Sequence, residues 1–183
     1  MLGLFWARFR MPLLLANGKM KSLRINRLNN LIAAMGVLNS SEVLVGVPKD
    51  HNVRKEEEAD EEAPPNNAMI AFLMDKGSPA NNIPARPFME PGIAKVKGKL
   101  SETLAKAAKA TLSNGSSAVE SYLNRAGLIA QSSIRGTIND GKDFTPLSEG
   151  TLRARRARGR TGTKPLIDTG QLRNSITYVI KRG

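Results

Sequence analysis

The chain is expected to fold as an α+β protein: a small antiparallel sheet packed against a long helical hairpin, with an extended N-terminal arm and two charged loops. Three observations predict this. Two long stretches with apolar residues at helical spacing meet at the turn signal Asn114-Gly115, which makes an antiparallel helical hairpin. Two short runs, 42–47 (EVLVGV) and 175–181 (SITYVIK), have the composition and alternation of strands. Aromatic residues are only 4% of the chain while Ala, Leu and Ile dominate its long segments, which suits a helix-weighted core.

Taken in order, residues 1–19 form an extension, an arm able to pack on a neighbour, and 20–183 form one domain. Leu23, Leu28, Leu31, Ile32 and Met35 follow a helical spacing that Gly36 should end. The strand 42–47 is closed by Pro48. The acidic stretch 49–65 has little to bury and is expected to be a loop or hairpin arm. Residues 66–75 form a short helix ending before Gly77. The segment 78–91 holds four prolines and is expected to be an extended, rigid connection.

A helix over 91–112 follows, with Val96, Leu100, Leu104, Ala108 and Leu112 at four-residue steps. The next helix opens with a capping-box pair, Ser117 and Glu120. Its apolar stripe is Val119, Tyr122, Leu123, Ala126, Ala130, Ile134 and Ile138. Residues 139–164 are expected to form a basic loop. Asp168 and Gln171 have capping-box spacing for a short helix near 170–174, and the closing strand ends the domain.

Composition removes several kinds of chemistry. There is no cysteine, hence no disulfide framework, thiolate metal site or cysteine nucleophile. The single histidine, His51, lies in the charged stretch, which leaves little for a zinc site or a Ser-His-Asp triad. No stretch approaches the ~20 apolar residues of a transmembrane helix, and arginines interrupt the N-terminal apolar run where a signal peptide would be continuous. A soluble, non-secreted protein is expected, with no cofactor, metal or catalytic residue and no membrane partner.

Net charge is +12, unevenly placed. Seven acidic side chains lie between Asp50 and Glu62, and six basic ones with no acid between Arg153 and Lys164. Two copies could therefore join head to tail. Arg153, Arg155, Arg156, Arg158 and Arg160 suit DNA phosphates or an acidic partner. The charge asymmetry favours pairing with an acidic neighbouring subunit over DNA, and a solvated loop is the plainer alternative. Gly136 to Lys142 satisfies most of a phosphate-binding loop, but Asp143 stands where Ser or Thr is needed, and the segment follows a helix. Asp168-Thr169-Gly170 is the triplet of aspartic proteases, but too little chain follows it to build the sheet and flap.

Three pieces together are more specific. They are 71–77 (AFLMDKG), 83–91 (IPARPFMEP), and 144–147 (FTPL) with Thr151 and 164–176 (KPLIDTGQLRNSI). In these the chain resembles the virion-morphogenesis or tail-completion family of tailed bacteriophages, the neck (head–tail joining) proteins similar to the lambda minor tail protein Z. The likeness spans roughly 66–181 and is weaker over 20–47. Asp75 and Lys76 depart from the usual Glu and aromatic.

The resemblance implies a structural, non-enzymatic virion protein that completes the tail or joins it to the head. It implies a ring, hexameric to match the tail or dodecameric, around a channel for genomic DNA. Its partners would be the head connector or stopper and the tail terminator or tube proteins, in the virion neck after assembly in the host cytoplasm. Interface residues would be Arg86, Pro87, Phe88, Phe144, Leu147, Leu166, Asp168, Gly170 and Leu172, with the rigid connector fixing Phe88 and presenting Arg86 for docking. The alternative is a stand-alone basic DNA-binding protein outside any particle.

Overall fold

The structure, a computed structural model, describes residues 6–9, 25–48, 66–114 and 116–182. Strand β1 (Trp6–Phe9) is followed by helix α1 (Ile25–Ser40) and strand β2 (Ser41–Gly46). Helices α2 (Asn67–Lys76), α3 (Met89–Ala94), α4 (Lys97–Asn114), α5 (Ser116–Asp140), α6 (Glu149–Ala157) and α7 (Gln171–Ser175) come next, and strand β3 (Thr177–Arg182) follows. The α+β class is as expected. None of the described helices is long and apolar enough to cross a membrane.

The sheet is antiparallel, in the order β1-β2-β3. Part of the N-terminal extension thus lies within this chain's own sheet, with Trp6 opposite Gly46 and Phe9 opposite Val43. Across the other edge of β2, Val43 faces Ile180 and Val45 faces Tyr178. Alternation along β2 turns Ser41, Val43 and Val45 inward, onto α5. There the Tyr178 ring lies so close to Gly127 that a β-carbon would collide with it. The Tyr178 hydroxyl donates to Asn124 Oδ1 at 3.0 Å, so the one polar atom of this contact is satisfied.

The predicted stripe of α5 is the spine of the core. Val119, Leu123, Ala126, Ala130, Ile134 and Ile138 are all buried, against Leu100 and Leu104 of α4. The single helix expected over 91–112 is two. Asp75 of α2 caps the start of α3, and Pro91 is tolerated in its first turn, where no intrahelical N–H is required. The chain then tightens at Lys95–Val96, where Val96 N–H bonds Ile93 O, before α4 begins. Ser133 Oγ of α5 donates to Gly92 O at 2.6 Å and fixes α3 across the hairpin.

Other expectations need correcting. Gly36 does not end the first helix: α1 continues to Ser40, and the Ser41 hydroxyl takes the Val37 carbonyl at 2.6 Å where the chain turns into β2. The connection 78–91 is not extended throughout, since Pro79–Asn81 forms a 3-10 turn and Ser78 and Ile83 bridge back to each other. The basic loop 139–164 contains α6, capped by the Ser148 hydroxyl accepting from Thr151 N–H at 3.2 Å. Asp168 does not cap α7. Gly170 takes that position, because the Asp168 carboxylate is held by arginines. The acidic stretch 49–65, His51 and the side chain of Ser117 lie outside what is described.

Candidate partner-binding groove

The three motif segments, far apart in sequence, meet around one groove of about 960 Å³. Its walls come from α2, the connector after it, the segment before α6, and the loop leading into α7.

The first segment ends α2 and turns sharply. Gly77 N–H closes the helix on Leu73 O, and its φ of 76° lies where only glycine is comfortable. A β-carbon there would also sit 2.7 Å from the Ala85 backbone nitrogen. The connector therefore runs directly back along α2, with Arg86 N–H bonding Met74 O at 2.8 Å. Asp75 is almost completely buried, and its Oδ1 accepts from Phe88 N–H at 2.9 Å and Met89 N–H at 3.0 Å. It thereby supplies the cap that the Phe88 side chain cannot give α3. Lys76 Nζ stands 3.3 Å from its other oxygen.

Arg86 joins the second segment to the third. Its Nε donates to Thr145 O at 2.8 Å and its Nη2 to Pro146 O at 3.2 Å. Only 5% of the residue is exposed, and no described carboxylate stands within ion-pair distance. Burial, and then the charge of Arg155, lower its pKa from the ordinary guanidinium value.

Arg155, also buried, organises the loop into α7. Its Nη1 donates to the carbonyls of Gly162, Lys164 and Ile167 at 2.9, 3.0 and 2.9 Å. The last two flank Leu166, whose φ of 61° is unusual for a residue with a β-carbon. Arg155 Nε lies 3.3 Å from Asp168 Oδ1, and Arg160 Nη1 lies 2.7 Å from Asp168 Oδ2. The first contact is close enough for an ion pair but not aligned as a hydrogen bond, so Oδ1 is buried without a hydrogen-bond donor among the described residues.

The structure divides the expected interface residues. Leu147, Leu166, Asp168, Gly170 and Leu172 line the groove together with Arg86. Phe88, by contrast, is fully buried in its own core, with Phe144 and Leu172 nearly so. Phe88 is thus not a docking face, and its effect on any partner runs through the fold around it. Arg86 likewise points inward to backbone carbonyls, and Pro87 is exposed.

The arginine cluster divides too. Arg155 is buried and Arg160 half-buried, both held by Asp168, while Arg153, Arg156 and Arg158 are exposed. Reading 139–164 as a loop hid this. Leu152 and Arg155, three apart after the Ser148 cap, share the inward face of α6.

Sequence reasoning did not select Ile70, Met74 or Ile83, which complete the groove's apolar wall. Asp75 was visible only as a mismatch. No described group of three or more His, Cys, Asp or Glu side chains is placed to hold a metal. The Gly136 to Lys142 segment is the last turns of α5 and the turn after it, as its context suggested.

The site thus defines an α+β protein with one apolar-walled, arginine-floored groove. No family model matches the chain, and comparison with curated proteins and with solved structures gives no match.

Proposed function

We propose that this chain is a structural, non-catalytic virion protein of the phage neck, which completes the tail or joins it to the head as a ring around the DNA channel. The observation that carries the reading is the convergence of the three motif segments. Asp75 holds the start of α3, Arg86 holds the segment 144–147, and Arg155 holds the loop 162–168, all around one groove. Their residues form a single rigid surface of the kind that preorganised association favours. Copies of the chain, the head connector or stopper, and the tail terminator or tube proteins are its partners. Ring closure uses heterologous contacts. Exposed Met69 and Phe72, on one face of α2 beside the groove, provide apolar area for such contacts.

The test is electron microscopy of a lysate from the producing virus with this gene disrupted. Filled heads and separate tails, rejoined when the protein is added back, are expected; intact infectious particles would end the reading.

A second reading, a stand-alone DNA-binding protein, is favoured by the exposed Arg153 and Arg156 on one short helix, with Arg158 just after it, in a chain with net charge +12. It requires affinity for duplex DNA that falls steeply with salt, with a slope reduced by about one per arginine removed.

A further inference from the structure

The floor of the groove has more positive than negative charge. Of the residues lining it, Arg86 and Arg155 have one carboxylate between them, Asp168, which Arg155 already engages. Among the described residues, the Arg86 side chain bonds two backbone carbonyls and no carboxylate. A guanidinium this deeply buried is costly unless it is paired, and its planar fork is matched best by a carboxylate or a phosphate. The walls beside it are apolar: Ile70, Met74, Ile83, Pro84, Leu147 and Leu166. A volume of about 960 Å³ is at the upper end for a small-ligand pocket.

We propose that the groove docks a short segment of a partner protein that carries one aspartate or glutamate between apolar residues, the carboxylate seating against Arg86 and the apolar side chains against the walls. A DNA phosphate fits this site poorly, because the guanidiniums lie at the bottom of an apolar cleft that a duplex does not enter. In the arginine cluster, the side chains a duplex could reach are Arg153, Arg156 and Arg158, which are exposed. The chain's own acidic stretch has many carboxylates but Val53 as its only large apolar residue between Asp50 and Glu62, so it fills the walls badly. The inference deepens the assembly reading by naming the chemistry of one partner segment. It needs a protein partner but not a phage particle.

The experiment selects a displayed library of short random peptides on the folded chain. The sequences expected to be enriched have a single Asp or Glu flanked on both sides by Leu, Ile, Val or Met. Replacing that carboxylate by its amide should weaken binding by roughly tenfold or more. Thr151→Glu should do the same, since Thr151 lines the groove. This variant is expected to fold, because Glu three residues after the Ser148 cap completes a capping box. Arg86→Gln, checked for folding by its thermal transition, should abolish the preference for carboxylate over amide.

No enrichment, enrichment of sequences without a carboxylate, or affinity indifferent to Thr151→Glu would each overturn the proposal. So would displacement of the selected peptides by short duplex DNA or by a peptide copying residues 52–62. Gene disruption tests the neck role separately: intact particles with peptide binding retained would defeat that role and leave the groove assignment standing.

Discussion

The α4–α5 hairpin with its sheet and the groove formed by α2, the connector and α6 are neighbours held by different physics. In the hairpin, buried Val, Leu, Ala and Ile side chains stack between helices and onto β2. Each contributes through area removed from water, which is non-directional. Around the groove, two arginines and an aspartate bind backbone groups of segments that have no regular hydrogen-bonding partners of their own. Those bonds are directional, and losing one leaves a buried carbonyl or N–H unmatched. The hairpin can therefore absorb small changes of shape, while the groove's backbone depends on a few side chains.

The largest effect is expected where the two regions join. Phe88→Ala empties a fully buried site between connector and core and should cost about 3–5 kcal/mol in denaturant unfolding. Arg155→Met removes hydrogen bonds from a charged group to three loop carbonyls, worth about 1.5–3 kcal/mol. Hydrogen exchange should rise in residues 160–170 and stay unchanged in α5. If protection fell equally in both regions, the contrast drawn above would be wrong.

Gly127→Ala pushes a methyl group into the Tyr178 ring and should cost about 1–3 kcal/mol by overpacking, read as a lowered melting temperature. Ser148→Ala removes the cap of α6, for about 1 kcal/mol. Arg153→Gln with Arg156→Gln should change stability by less than about 0.5 kcal/mol, since both side chains are exposed. Their effect, if any, should be on salt-dependent DNA binding.

The hairpin region was the more legible in the sequence. The stripe from Val119 to Ile138 could be read directly, because helical periodicity reports burial. The two strands 42–47 and 175–181 were found from their short apolar runs and strand composition. Around the groove, periodicity has little to report. Arg86 and Arg155 have the composition of surface residues, and only their partners' positions make them internal. The motif resemblance picked out segments that meet around the groove but assigned Phe88 outward, since a rigid proline-flanked aromatic reads the same whether it packs on a partner or beneath its own connector. The end of α1 was misplaced because Gly36 permits termination but does not require it, and it meets nothing that would force a turn.

The pairing of β2 with β3 bears on how the protein is made. Ser41 lies opposite Arg182 and Gly46 opposite Thr177, so the central strand of the sheet waits for a partner synthesised after all the helices. At about 5–20 residues per second, the α4–α5 hairpin, whose contacts are local, can close while β2 still lacks β3. A growing chain thus passes through a stage with its helices assembled and the β3 side of β2 open. A copy cut short before β3 would keep that edge unpaired and apt to pair with another chain. Completion of β3 is therefore the step that closes this edge of β2.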